Sequence, residues 1–405
     1  MLLQLRNVPP TGCVSRSARR CAEFVAAGVV LAGVALMTGS CASPIPESAD
    51  PLRPFATAES AEEVKPTTSL DIPSRTWVPR PLDTKVGPVP GAAKHSRVIF
   101  DSLRGRMVVA GGDVMHPTIG NGNGNSTLWA IDLERENPWE LVHDWCSARG
   151  ELMPGTPDTV GWVYASRHDQ GVMFPGFYFI TQSNRWCPES REVADAVIYD
   201  FKSNKWLPVP FPRPPNGWGG DTGSSFASYD PQTDSIYRFR NGGTVEVFSM
   251  SGSTNVIPTG PLDEGGNYDQ AAIDVRGRNI YRIGRQSRSL IKYSIRSKSI
   301  SAIPLPRQWV RPPGDMETYL AFDPFNRVLL LPNVENFGGR VLGLGTYHVD
   351  TKHWEWDIPG NVQGLLVRGN LFGFDETNDV FLLAGGHRAE GTLPPVTVYW
   401  LYRYR

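Results

Sequence analysis

The chain has 405 residues, with 40 lysines and arginines against 41 aspartates and glutamates, 40% hydrophobic content, 41 glycines and 35 prolines. Balanced charge excludes an overall electrostatic footprint for nucleic acid, and a chain of this length fills a core without metals or cross-links to hold it. The abundance of turn-forming residues argues for many short elements, and so for an all-β class rather than long helices.

Arg16, Arg19 and Arg20 precede the apolar run FVAAGVVLAGVALM, which begins at Phe24 and ends at Met37. The run is shorter than the roughly 20 residues a spanning helix needs, so residues 1–40 read as a signal peptide. Thr38-Gly39-Ser40-Cys41 follows, and these small residues before a cysteine resemble a lipoprotein lipobox. The resemblance implies cleavage before Cys41 and lipidation of Cys41, although Leu is preferred where Thr38 stands. A plain cleaved signal peptide and an uncleaved N-terminal anchor are the alternatives, and each keeps the rest of the chain outside the cytoplasm. The expected location is therefore exported, membrane-anchored by lipid at the periplasmic side or cell surface. Residues 41–68, rich in Pro, Ala, Ser and Glu without apolar periodicity, read as a flexible tether. Cys146 and Cys187 are then the cysteine pair of the folded part. Either they join in an oxidising compartment or they are two separate buried thiols, since pairing needs Cα atoms within about 7 Å.

From about residue 69 to residue 405 one phrase recurs with a period of roughly 40 to 65 residues, the mark of an array of supersecondary units. It is a strand, a polar turn and a second apolar strand. Its six copies are RVIFDSLRGRMVVAGG from Arg97, WVYASRHDQGVMFPG from Trp162, SFASYDPQTDSIYRF from Ser225, QAAIDVRGRNIYRIG from Gln270, YLAFDPFNRVLLLPN from Tyr319 and LFGFDETNDVFLLAGG from Leu371. Turns such as DPQTD, DPFNR and DETND make each a hairpin. A second hairpin follows, with an aromatic or apolar residue preceding a Trp: Tyr199 and Trp206, Tyr347 and Trp354, Ile131 and Trp139. Copy four has Tyr293 with Ile300, and copy three Phe248 with Asn255. Two hairpins make a four-stranded antiparallel blade. Copy six ends one strand short, and SLDIPSRTWVPRPL near the N-terminus, with Leu70 seven residues before Trp77, reads as the missing strand. The expected fold is a six-bladed β-propeller closed by pairing of N- and C-terminal strands, with the tryptophans packing between blades.

The glycine pairs Gly111-Gly112, Gly242-Gly243 and Gly385-Gly386, with the spaced Tyr and Trp, resemble the kelch motif of galactose-oxidase-like propellers. Copies two and four depart from it with Pro175-Gly176 and Ile283-Gly284. The resemblance to galactose oxidase raises copper-radical oxidation, but neither Cys146 nor Cys187 lies in a matching motif, so that activity is not expected. Periplasmic kelch propellers that epimerise sialic acid are a closer analogy, by chemistry alone, with Glu317, Glu335, Arg285 and Arg388 as counterparts.

In such a propeller the loops leading into each first strand and those joining the second strand to the third converge on one mouth of the central channel, where ligands bind. The first set carries Lys94, His95, Asp158, Asp221, Tyr268, Asp269, Glu317 and Asn370. The second carries Asp113, His116, Asn241, Arg285, Asn333, Glu335, His387 and Arg388. These charges predict an acidic to mixed mouth, suited to hydroxyl-bearing or cationic ligands. His95, His116 and His387 lack tight metal-ligand spacing, so no metal is expected. Residues 112–127, with their NGNGN run, read as a solvated loop and the best candidate for a lid. There is no P-loop, dinucleotide fingerprint, nucleophile elbow or CxxC pair, and no cofactor is expected. The functional expectation is an exported, monomeric binding propeller for a small polar ligand or glycan, or a protein partner, with no nucleic acid and membrane contact through the lipid anchor only. The alternative is a carbohydrate-active enzyme of epimerase or lyase type using the same mouth.

Overall fold

The structure, a computed structural model, describes residues 70–81, 93–94, 97–110, 113–116, 120–124, 127–135, 138–144, 152–154, 161–174, 191–193, 196–214, 226–240, 243–259, 270–284, 287–309, 319–334, 341–358, 371–384 and 398–405. The signal peptide, Cys41, the tether, Cys146 and Cys187 lie outside the described residues. Among those described there are no helices, and six four-stranded antiparallel sheets stand in a ring.

Blade 1 consists of Arg97–Asp101, Arg106–Ala110, Thr127–Ile131 and Trp139–Asp144, and blade 2 of Gly161–Ala165, Gln170–Phe174, Val197–Asp200 and Lys205–Pro208. Blade 3 is Phe226–Asp230, Ser235–Arg240, Thr244–Ser249 and Ser253–Pro258; blade 4 is Ala271–Asp274, Asn279–Gly284, Ser289–Ser294 and Ser299–Pro304. Blade 5 is Ala321–Asp323, Val328–Val334, Val341–His348 and His353–Asp357. Blade 6 takes Leu371–Asp375, Val380–Ala384 and Val398–Tyr402 from the C-terminus and Trp77–Pro81 from the N-terminus. Each first strand lies beside the first strands of both neighbouring blades, which closes the ring around a channel.

Six apolar clusters fill the six seams between blades, because alternate residues of each middle strand face opposite neighbours. In blade 4, Ile280 faces blade 3 while Tyr281 and Ile283 face blade 5. Every described tryptophan belongs to one of these clusters or packs against it. The aromatic spacing has a geometric origin. Tyr199 is the cross-strand partner of Trp206, and Tyr347 of Trp354, with ring centroids 5.0 Å apart in both pairs. Blade 3 differs from expectation, since its tighter outer turn pairs Phe248 with Thr254 and leaves Asn255 opposite Val247.

The chain ends meet as expected, but Leu70 is not the residue matched to Trp77. Trp77 pairs with Tyr402, their centroids again 5.0 Å apart, so the two termini rebuild the aromatic pair seen within blades 2 and 5. Arg403 fastens the seam further by donating to the carbonyls of Leu70 and Ile72. The reading of residues 112–127 as a solvated loop is corrected in part. Within it, Asp113–His116 and Gly120–Gly124 form a hairpin that pairs with Ala93–Lys94, so backbone bonding supplies the order that the glycine-rich segment cannot draw from a core.

Trp77 is fully buried at the closing strand. Trp77→Ala is expected to cost about 3–5 kcal/mol in denaturant unfolding. Deleting residues 70–82 should unfold or aggregate the protein, and an unchanged thermal midpoint after that deletion would refute closure as the source of its stability.

Candidate functional site at the channel mouth

In every blade the first strand runs into a tight turn and the second returns from it, so the ring has a turn end and, opposite, a mouth end with the longer connections. His95, Asp158, Asp221, Asp269, Arg285, Glu317, Glu335, His387 and Arg388 lie outside the described residues, as do Tyr268, Asn241 and Asn370. Of the expected set, Lys94 and Asp113 are brought together as cross-strand partners, and His116 stands on the same short strand as Asp113. Asn333 is at the mouth end of the second strand of blade 5.

Beneath these loops the strand ends carry polar groups that loop counting overlooks. Arg238 and Glu246 are cross-strand partners in blade 3, and Arg240 lies two residues further along the same strand face. Arg238 donates to one Glu246 oxygen at 3.4 Å and Arg240 to the other at 3.1 Å, all three side chains being buried. The Arg238 guanidinium also stands over the Phe174 ring of blade 2, 5.4 Å from its centroid. Arg282 is buried at the matching end of blade 4. Gln270, just before the first strand of blade 4, donates to the Phe372 carbonyl of blade 6 and accepts from the Leu320 amide of blade 5, tying three blades together. The described floor thus holds three arginines and one glutamate, whereas the loops were expected to be acidic to mixed. Their sequence signal is a charge interrupting an apolar second strand, as in SIYRFR.

Asn333 differs from its neighbours. It is 1% exposed, yet among the described residues neither its Oδ1 nor its Nδ2 has a hydrogen-bond partner. A β-bulge between Asn333 and Val334 re-aims the chain there, and the facing residue, Gly343, has no side chain because the Trp356 ring lies across that position. An unpaired buried carboxamide costs about 1–3 kcal/mol, so it calls for a reason to be kept.

The turn end is different in kind. Asp101, Asp230, Asp274, Asp323 and Asp375 end their first strands fully buried, each accepting from amides of its own turn. Each turn then finishes on a left-handed residue: Gly105, Asp169, Asp234, Arg278, Arg327 or Asp379. Side chains from these turns bridge adjacent blades. Arg104 of blade 1 grips Asp169 of blade 2 with two bonds of 2.7 and 2.9 Å, and His168 of blade 2 lies 2.8 Å from Asp234 of blade 3. Arg278 of blade 4 pairs with Asp230 of blade 3, and Arg327 of blade 5 grips Asp274 of blade 4 at 2.9 and 3.0 Å. Arg104 is the largest influence on Asp169 and, with Tyr164, holds its carboxyl below the usual range.

Between blades 5 and 6 the series breaks, because Asp379 occupies the position of Arg278 and Arg327. Burial, and then the charge of Asp323, push Asp379 up to about 6. Glu376 beside it reaches solvent but is crowded by the ring; burial first, then Asp375 and Asp323, push it up to about 7. Burial likewise raises Asp323 and Asp375.

A separate cluster, at the outer edge of blade 5, also escaped the sequence reading: His348, His353 and Glu355. The signal was available, since matching Tyr347 with Trp354 forces His348 opposite His353. No protein-family model and no curated protein matches this chain.

The acid pair at the blade 5–6 seam has a testable consequence. The folded state holds a proton on Asp379 more tightly than the unfolded chain, whose carboxyl titrates near 3.8, so its contribution favours folding at low pH and fades as pH rises to about 6. Asp169 runs the other way, its contribution being lost as pH falls. Asp379→Arg should restore the bridge to Asp323 and stabilise the protein by about 1 kcal/mol at pH 7, after allowance for solvent screening, with a flatter pH profile between 4 and 6. Urea unfolding across that range checks both.

Proposed function

We propose that this protein is a binding propeller that takes a small, hydroxyl-rich ligand of the glycan type at its channel mouth. The observation that carries the reading is Asn333, whose carboxamide sits at the mouth end of a seam without a partner among the described residues. A carboxamide offers two donors and an acceptor, and a hydroxyl, which both donates and accepts, is its complement. The surrounding floor supports recognition, because Arg238, Glu246 and Arg240 are locked to one another and Gln270 joins three blades, giving the rigid frame on which binding loops are usually carried. Glu246 is engaged by two arginines, an arrangement that suits a fixed acceptor better than a proton carrier, so binding is preferred to acid–base turnover. The expected site residues Asp113, Asp158, Asp221, Asp269, Glu317 and Glu335 would surround this floor as hydroxyl acceptors, with His95, His116, Arg285, His387 and Arg388 among them.

The kelch-type identity belongs to the same proposal, supported by the glycine pairs after the second strands and the cross-strand Tyr–Trp partners. So do export and lipid anchoring at Cys41, supported by the apolar run and the small residues before that cysteine; Cys41→Ser would release the protein from membranes if this reading holds.

The test is a glycan array on the full chain, with product formation scored alongside binding. Asn333→Leu should weaken binding by about tenfold or more, equivalent to 1.4 kcal/mol, while leaving stability unchanged or raised by about 1 kcal/mol. Turnover would favour the epimerase or lyase alternative, and binding unaffected by the substitution would move the site away from this part of the mouth.

A further inference from the structure

The outer hairpin of blade 5 carries three metal-competent side chains on one face. His348 ends its third strand and His353 begins its fourth, and the two are direct cross-strand partners. Partners across an antiparallel pair project to the same side with Cβ atoms about 4.5–5.5 Å apart, and Glu355, two residues beyond His353, projects there too. The opposite face is occupied by Tyr347 and Trp354, which pack into the seam with blade 4. That packing fixes which way the histidines point.

One ligand atom from each of the three residues lies within 4.8 Å of the others. Glu355 Oε1 is 3.0 Å from His348 Nε2 and 3.9 Å from His353 Nε2, so this single oxygen faces both imidazoles. Its other oxygen, Oε2, is turned away toward the Arg75 guanidinium at 2.8 Å and the Tyr404 hydroxyl at 3.4 Å. Arg75 in turn donates to the Tyr404 oxygen at 3.1 Å. The carboxylate is therefore divided, one oxygen for the histidines and the other held by groups from the two chain termini. Outer partners of this kind orient a ligating carboxylate.

We propose that His348, His353 and Glu355 form a binding site for a divalent cation of the zinc class. Two imidazoles and a carboxylate are a donor set that zinc takes, and three protein ligands leave a fourth position open to water or an outside ligand. Half of the His353 side chain is exposed, which gives the ion a path in, while His348 is largely covered and held by Tyr404 at 3.2 Å. The site is distinct from the channel mouth, lying on the outer rim where blade 5 meets the closing segment.

The experiment uses the full chain, freed of metal with a chelator, titrated with Zn²⁺ by calorimetry and with Co²⁺ by visible absorption. Binding of one ion per chain with the intense Co²⁺ bands of a four-coordinate site is expected. His353→Ala and Glu355→Gln should each weaken binding by about tenfold or more. His353 is a surface residue, so that variant should keep the parent thermal midpoint and report on the site alone. Should the parent bind no ion, or His353→Ala and Glu355→Gln both bind as the parent does, the proposal is overturned; the second result would place any bound ion on other histidines.

Discussion

Everything in this fold depends on a closure that is not covalent. The strand Trp77–Pro81 completes blade 6 by pairing with Val398–Tyr402, and that pairing joins the first described segment to the last. A ring of blades has no free seam when closed and two when open, so one strand governs the apolar burial of both faces of blade 6. The local chemistry is dense for this reason. Trp77 and Tyr402 pack tilted against each other in the seam with blade 5, Ser74 bridges to Arg403, and the Arg403 guanidinium reaches the carbonyls of Leu70, Ile72 and Asn378. The closing strand also covers the edge of Val398–Tyr402, which would otherwise stand unpaired and invite association.

Given a closed ring, most of the polar fasteners between blades stand where apolar packing ends, at the turn end. Buried aspartates there would be costly if left bare, and each is satisfied by its own turn amides before any arginine arrives. Of the arginines that then reach back, Arg278 of blade 4 adds one bond and Arg327 of blade 5 a bidentate pair, the geometry in which such contacts are strongest. The left-handed position at the close of the turn takes part in these bridges with either sign: Arg278 and Arg327 reach an aspartate of the preceding blade, Asp169 and Asp234 receive Arg104 and His168 from it, and Asp379 meets the carboxyl of Asp323 instead.

The architecture was legible in the sequence because the propeller repeats its chemistry: six turns opening mostly on Asp, six pairs of apolar strands, and aromatic residues at a spacing fixed by hairpin register. Where the register slipped, the reading slipped with it. The shorter turn after Ser249 displaced the partner of Phe248, and Tyr402, over three hundred residues from Trp77, could not be found by a local spacing that pointed to Leu70. The site was less legible for a physical reason. Loop position named the residues expected at a mouth, and of these Lys94 and Asp113 are strand partners, but the polar floor lies inside strands, where Arg238, Arg240, Glu246 and Arg282 look like interruptions of an apolar pattern. Likewise, His348, His353 and Glu355 become neighbours only once the hairpin is folded.

The two ends of the ring differ in how their polar groups are used, and this bears on where a ligand would be recognised. At the turn end the buried acceptors are filled locally, since a four-residue turn supplies amides within reach of the carboxylate that opens it. At the mouth the connections are longer and the strands end on side chains that turn amides cannot serve. Arg238, Arg240 and Glu246 solve this among themselves, and Gln270 solves it by reaching across blades. Asn333 has no such solution: Pro332 before it has no amide hydrogen to donate, the bulge after it shifts the register, and the facing glycine offers no side chain. A packed interior keeps a carboxamide in that condition at a cost, and an apolar residue of similar size would remove the cost. On the proposed reading, that carboxamide at the mouth end of a seam is the group an outside partner would meet.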